Sequence, residues 1–497
     1  MAKTVYMPMN RVEGDLEVKV AIEDGVVSDA WMIGSMYRGI ETMLIGRNSL
    51  DGLVITPRIC GICSTSHLLT AAMALENITG AQVSPNGLLV RNIALGAEKL
   101  QNDLRHIFLM FVADLTAEGY ASHSLYPEIM RRYQPFQGSA VVATILATKK
   151  IPEIIAIFGG QWPHSSFIVP GGITSQPNEA DLRQCRLLLS EFRRWYEQCV
   201  LGCSIDRFAE VENCRQLDDW LDERPQHHDS ELGFFLRCCQ DFGLDCIGGA
   251  HEAYLSGPEI AVANSSSGFL HNGILQAFDQ QRIVEQVKHA RYQEHNSSGH
   301  PSEAETHPLD SIEHDAYSWC KAPRYNGIPS ETGALAEALI RQDPLVTDLV
   351  ATRGASVLAR TLARLLRPCR TLRLMEQWLR EINPVDRYYQ PAGVPANGSG
   401  FGLIQAPRGL LGHWVQLTNG FIDHYQVITP TTWNASPRDD RDLRGPIEQA
   451  LVGTPIRNPE DPVEVGHVVR SFDLCMVCSV HAVSKKNRTL GRFRLGI

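Results

Sequence analysis

"RICGICSTSH" at Arg58–His67 and "SFDLCMVCSVH" at Ser471–His481 each hold a Cys-x-x-Cys pair followed by a histidine. Nearly all of the 497-residue chain lies between them. A Cys-x-x-Cys turn can aim both sulfurs at one metal, so Cys60, Cys63, Cys475 and Cys478 offer four thiolates. Soft thiolates select zinc, Cu(I), iron–sulfur or nickel–iron centres over magnesium or calcium. In compact zinc modules the two pairs sit close in sequence, and here they do not. Spacing alone leaves three readings: a structural zinc site, a catalytic metal site built where the chain ends meet, or unrelated cysteines. Arg58 and His67 flank the first pair, Asp473 and His481 the second. Functional metal thiolates need such neighbours to orient and tune them.

Composition narrows the class. The chain is 44% hydrophobic and 21% charged, as in globular proteins, and its length is enough to bury a large core without disulfides. A formal net charge of −10 argues against nucleic acid and anionic membrane surfaces as main partners. No apolar run reaches membrane-spanning length, and "MAKTVYMPMNRVEGD" lacks the apolar core of a secretory signal. A cytoplasmic protein is expected, associated with the membrane, if at all, through partners. Thirteen cysteines, an odd number, fit free thiols and metal ligands better than a disulfide framework.

The start of the chain reads as β. Val18, Val20 and Ile22 alternate, Asp24-Gly25 marks a turn, and a second apolar run reaches Ile33. Arg11–Gly14 precede this hairpin on a loop or at the start of a strand. After Thr56-Pro57 the Cys60 motif marks a change from extended chain to helix, with Leu68–Leu75 helical. Asn86 is placed to cap a long helix whose apolar positions (Val90, Ile93, Ala97, Leu100, Leu104, Ile107, Phe111) keep the rhythm of a buried face. Residues 158–172 read as irregular and 289–315 as a long surface loop. Helices are expected over 180–200 and 355–382, the latter kinked or split at Pro368. The fold class expected is α+β and helix-dominated: a β-rich region over 1–56, a helix-rich body over 57–481 carrying both cysteine pairs, and an extension over 482–497.

Together with the two cysteine motifs, "RVEGD" (11–15), "RGIE" (38–41), "FGGQWPHSSFIVPGG" (158–172), "KAPRYNG" (321–327), "QAPRGLLGHW" (405–414) and "PTTWNASPRD" (430–439) occur in one order along the chain. In these the chain resembles the large subunit of [NiFe]-hydrogenases, and in wording the uptake enzymes of the cyanobacterial and actinobacterial type. The resemblance implies reversible cleavage of H2 into two protons and two electrons at a nickel–iron centre, Ni-Fe(CO)(CN)2. Cys60 and Cys475 are then terminal nickel thiolates, with Cys63 and Cys478 bridging to iron. Glu13 matches the proton-relaying glutamate, with Cys475 taking the proton first. Arg408 matches the arginine over the metal pair, and Asp473 the residue that orients it. His67 is implied to hydrogen-bond a bridging sulfur, while Pro407 and Thr431 line the diatomic ligands. A second, structural Mg²⁺ is implied on Glu41, the Val427 carbonyl and His481; its oxygen-rich shell suits that ion.

Two departures stand out. Leu474 takes the place of the family's usual proline before Cys475, and both Asn102 and Asp103 are candidates for an aspartate expected near the arginine. The sixteen residues after His481 are basic and carry no acid. In the family an endopeptidase removes such a tail once nickel has been loaded by insertion factors. The tail favours an energy-linked enzyme over the alternative, a regulatory H2-sensing subunit. None of the other nine cysteines has cluster spacing, so electrons must leave through a separate iron–sulfur small subunit in a heterodimer or larger assembly.

Overall fold

The structure, a computed structural model, describes residues 3–259, 267–309 and 315–479, without the side chains of Asn296, Cys478 and Ser479. The fold is α+β and helix-dominated. Lys3–Met9, Leu16–Glu23 and Val26–Gly34 form an antiparallel meander. The expected hairpin is its second half, and the first strand went unread. Asp24 and Gly25 both take positive φ, 51° and 78°, the backbone that a two-residue turn between right-twisted strands requires. Val18, Val20 and Ile22 point inward and join the main core, which runs from Met9 to Met476.

The body is organised on two long helices, Pro85–Arg105 and Val357–Glu381, packed against each other. Gly96 permits the contact, since a Cβ there would lie 2.7 Å from the Met375 sulfur. The first helix is capped by Ser84, whose hydroxyl accepts from the Gly87 amide, and not by Asn86. Pro85 explains the difference: proline belongs at the first helical position, so the cap is the residue before it. The second helix runs through Pro368 without splitting, held by packing along its buried face. Glu179–Trp195 is helical as expected and widens into a π turn over Tyr196–Leu201.

Three other expectations are corrected. Thr56–Arg58 is a 3-10 turn and not extended chain, secured by the Thr56 hydroxyl donating to the Gly52 carbonyl at 2.8 Å. Residues 289–309 do not simply lie on the surface: Ala290 and Tyr292 are buried, Tyr292 packing against Tyr37 and Trp319. Residues 158–172 contain the first strand and part of the second strand of a small hairpin, Ile168–Val169 with Gly172–Ile173. His164 from this segment braces the cysteine turn, its ring 3.0 Å from the Pro57 carbonyl.

A second meander, Gly398–Ala406, Gly409–Thr418 and Phe421–Ile428, lies on the Ser64–Thr79 helix. Glycines on the first strand set the spacing: a Cβ on Gly402 would stand 2.1 Å from the Thr70 carbonyl oxygen. The helix that follows Cys63 is thereby pressed onto the strand that ends at Ala406. Chain ends meet as expected. The Val477 amide donates to the Glu13 carbonyl at 3.1 Å, and Val27 to Thr454 at 3.0 Å.

Glu448 is buried at this junction, accepting from the Met32 amide at 2.9 Å and the Tyr317 hydroxyl at 2.8 Å. Burial pushes its pKa up to about 7 against those hydrogen bonds. The folded chain therefore holds this proton more tightly than the unfolded chain, whose carboxyl titrates near 4.5. Its contribution to stability is complete below that value and is lost as pH rises through 7, a change of up to ~3 kcal/mol. Thermal unfolding followed from pH 5 to pH 8 should show a falling midpoint, and Glu448→Gln should flatten the fall.

Candidate metal centre

The sulfurs of Cys60, Cys63 and Cys475 all lie within 4.8 Å of one another, and all three residues are buried. Cys475 Sγ stands 3.4 Å from Cys60 Sγ. Among the described residues this is the only group of three or more candidate ligands. The sides of the cluster come from opposite ends of the chain: the turn between Thr56–Arg58 and the Ser64–Thr79 helix, and Cys475, which bridges to Glu13 just before the short Met476–Ser479 helix. The side chain of Cys478 and all of His481 lie outside the described residues.

Arg408 reaches the cluster from the tip of a hairpin. Ala406 pairs with Gly409, so Pro407 and Arg408 are the two turn residues. Arg408 Nε donates to Asp473 Oδ1 at 3.0 Å. Asn102 donates to the other oxygen at 2.7 Å, and Arg364 Nε approaches that oxygen to 3.4 Å. Asn102 is thus the residue that meets the Arg408–Asp473 pair, while Asp103 pairs with Arg367 through both guanidinium arms. Arg367 also donates to Glu337 at 3.0 Å and to the Pro407 carbonyl, fixing the hairpin tip. Burial opposes charge on Asp473, but the permanent charges of Arg408 and Arg364 and the hydrogen bond from Asn102 hold its carboxyl well below the usual range.

Two cavities flank these residues. One, about 10 Å³, is bounded by Cys63, His67, Pro407, Arg408, Thr431 and Cys475. The other, about 190 Å³, is bounded by Glu13, Ile62, His106, Arg408, Asp473 and Leu474, among others. Leu474, found where proline was expected, is buried and forms part of that wall. Thr431 Oγ1 accepts from the Cys475 amide at 2.9 Å, which leaves its own proton free to donate. His67 Nδ1 is 3.1 Å from His413 Nε2. Arg408 Nη1 is buried with no protein acceptor among the described residues. Such a donor calls for an acceptor other than the protein, as a metal carrying polar ligands would provide. Glu13 is half-buried, and its pKa is raised first by desolvation and then by the charge at Cys60 and at Asp473, with Arg408 opposing.

Glu98 and His106 escaped the sequence reading. Glu98 accepts from the Thr65 amide at 2.8 Å, the Ser66 amide at 3.1 Å and the Ser66 hydroxyl, capping the helix that follows Cys63 from a neighbouring helix. Burial pushes it up to about 7 despite those bonds. Burial also drives the His106 ring down to about 3, so it is neutral; its Nε2 proton goes to the Arg470 carbonyl at 2.7 Å. The available signal for Glu98 was the cluster of polar residues Glu98, Lys99, Gln101, Asn102 and Asp103 late in a helix with a buried apolar face.

Apart from the thiols, Glu41 is buried with Oε1 accepting from the Val427 amide at 2.9 Å and Oε2 from the Thr306 hydroxyl at 2.5 Å. Among the described residues no basic side chain forms an ion pair with it. A buried carboxylate in that position fits a bound cation.

A family model described as nickel-dependent hydrogenase matches residues 38–116 and 140–481. The chain is 30% identical to the "Periplasmic [NiFeSe] hydrogenase large subunit" of Desulfomicrobium baculatum, over 96% of this chain and 94% of that one. It is 27% identical to the "Uptake hydrogenase large subunit" of Bradyrhizobium diazoefficiens, over 99% and 97%. Among solved structures, the reduced, active Ni-Fe-Se hydrogenase of Desulfomicrobium baculatum superposes with a TM-score of 0.84 at 27% identity, covering 97% of this chain and 100% of that one. These relatives do not carry the narrower likeness to the cyanobacterial and actinobacterial type.

Arg367→Met should destabilise the fold by about 3–5 kcal/mol, because it takes the directly bonded partner from buried Asp103 and Glu337 and leaves only Arg364 at 3.9 Å and Lys99 at 3.8 Å. Urea unfolding of parent and variant measures this, and equal midpoints would rule the network out as a support. Taken together, the buried thiol cluster beneath Arg408 and the match along most of its length place the chain in the nickel-dependent hydrogenase family, as a large subunit.

Proposed function

We propose that this large subunit catalyses the reversible splitting of H2 into two protons and two electrons in an uptake enzyme, with the electrons taken by an iron–sulfur small subunit. The convergence of Cys60, Cys63 and Cys475 beneath the Arg408–Asp473 pair carries the reading. Cys478 would complete the thiolate set. Nickel and iron, when bound, supply the Lewis-acidic centre at which H2 is polarised.

The chain's own residues then divide the work. Cys60 and Cys475 would hold nickel, and Cys63 and Cys478 would bridge to iron. Arg408, fixed by Asp473, sets a permanent positive charge beside the thiolates, and its Nη1, without a protein acceptor among the described residues, would donate to a polar ligand of the bound metals. The Thr431 hydroxyl is a second such donor, while Pro407 and His67 close the wall and exclude water. Cys475 Sγ receives the proton from H2, and the Glu13 carboxyl relays it outward. A carboxyl raised toward the working pH both accepts and releases a proton readily. Glu41, the Val427 carbonyl and His481 would hold Mg²⁺, tying the start of the chain to its end. The basic residues after His481 are read as a tail that a maturation endopeptidase removes after nickel insertion. The placement proposed is cytoplasmic. Among the described residues no helix is long and apolar enough to cross a membrane.

Infrared spectroscopy of the purified heterodimer decides the main reading. Bands in the CO and CN⁻ stretching region, together with nickel by metal analysis, are expected; zinc without those bands would overturn it. Glu13→Gln should lower H2 oxidation and H2/D2O exchange by roughly 10²–10⁴-fold at unchanged nickel content. The mass of the large chain from cells with and without the endopeptidase should differ by the tail, separating a processed enzyme from an unprocessed sensor.

A further inference from the structure

Arg38 stands three residues before Glu41 and belongs to none of the functions assigned so far. Gly39, between them, takes φ 66° and ψ 32°, a left-handed turn that caps the short Ile40–Leu44 helix. The turn lets Arg38 face the cysteine segments while Glu41 faces Val427. The Arg38 guanidinium makes three hydrogen bonds, all to backbone carbonyls. Nη1 donates to Ile59 at 2.5 Å and to Val477 at 2.9 Å, and Nη2 donates to Arg58 at 3.0 Å. Ile59 precedes Cys60, and Val477 lies between Cys475 and Cys478. Among the described residues no carboxylate pairs with Arg38.

Carbonyls at the end of a helical turn have no partner within the turn, and a cation placed there satisfies them. Arg58 and Ile59 close one such turn, at Thr56–Arg58, and Val477 sits in another, at Met476–Ser479. One planar cation spans both. Its rigid fork can serve two diverging acceptors at once, which the single ammonium of lysine does less well. On the opposite side the Cys475 amide donates to Thr431 Oγ1 at 2.9 Å and the Val477 amide to the Glu13 carbonyl at 3.1 Å, while Asp473, two residues before Cys475, is anchored by Arg408.

We infer that Arg38 is a positioning residue that clamps the Cys475 segment onto the Cys60 turn, and so closes the thiolate cluster around whatever it binds. The consequence for metal retention rests on the proposed nickel–iron reading; the clamp itself does not.

The test uses the full-length chain co-produced with its partner subunit. Hydrogen–deuterium exchange is read at the Cys475 and Val477 amides in the parent, Arg38→Met, Arg38→Lys and Arg47→Met. Arg47 is an exposed neighbour that donates to the Met43 carbonyl at 2.7 Å and serves as the control. Arg38→Met should raise exchange at both amides at least tenfold, with the Val357–Glu381 helix unchanged and Arg47→Met like the parent. Nickel in the loaded complex should be lost to a chelator at least several-fold faster in Arg38→Met. Parent-like exchange at Cys475 and Val477 in Arg38→Met overturns the proposal. If that variant loosens the whole molecule, Arg38→Lys decides: faster exchange confined to these two amides supports the clamp, and uniform or absent change overturns it. A parent that holds no nickel would sink the nickel–iron reading and leave the exchange result standing.

Discussion

The Arg408–Asp473 ion pair is the constraint around which the interior is arranged. A guanidinium held beside buried thiols cannot stand alone in a water-excluded space, and neither can the carboxylate that holds it. Each charge calls for another: Asp473 takes Asn102 and Arg364, Arg364 lies near Asp103, Asp103 takes Arg367, and Arg367 takes Glu337. This explains why the Pro85–Arg105 and Val357–Glu381 helices, the longest described and the most central, carry charged side chains at buried positions. Desolvating these groups is costly, and hydrophobic residues of like volume would make a more stable core. The network fits a requirement for fixed charge at the site better than a requirement for stability.

The same constraint explains the use of both chain ends. The Cys60 turn is built early, on a helix pressed against a strand through Gly402. Asp473 and Cys475 come last, after the Val463–Ser471 helix. Between these lies the hairpin that carries Arg408, fixed from behind by Arg367 on the Pro407 carbonyl. The pair beneath which the thiols gather therefore forms only when the C-terminal segment docks. A cluster assembled in this way is incomplete until the C-terminal segment is in place.

The thiolate set was legible because metal chemistry dictates residue type and spacing, whereas Arg408, Thr431 and the part given to Asp473 were marked only by the family resemblance. The structure brings Cys60, Cys63 and Cys475 together with Arg408, Asp473 and Thr431 beside them. Cys478 and His481 fall outside the described residues. What resisted reading was set by tertiary contact. Ser84 displaced Asn86 as a cap because Pro85 fixed the first helical position. Thr56–Arg58 coiled where a residue before proline favours extension, because the Thr56 hydroxyl reached back to Gly52. Asn102 and Asp103 could not be told apart in sequence, since adjacent positions on a helix point some 100° apart and only the neighbours decide which meets the arginine. Arg38 bonds only to main-chain carbonyls, which carry no side-chain signature.

Glu13 and Asp473 share the wall of one chamber, yet their surroundings drive them apart. Asp473, enclosed by guanidiniums, stays ionised and serves to hold Arg408. Glu13, half-buried and near the charge at Cys60, is pushed the other way. Two carboxyls in one site separated like this are suited to different tasks, the raised one to carrying a proton and the lowered one to electrostatic support, as proposed above. The rest of the lining reinforces the division. Arg11, Arg105 and Arg470 add positive charge, and the neutral His106 ring presents an unprotonated nitrogen with no protein partner among the described residues. An excess proton is disfavoured in such a space except on a group that gains by neutralising, and among the lining groups the raised Glu13 carboxyl is the one that would meet that condition.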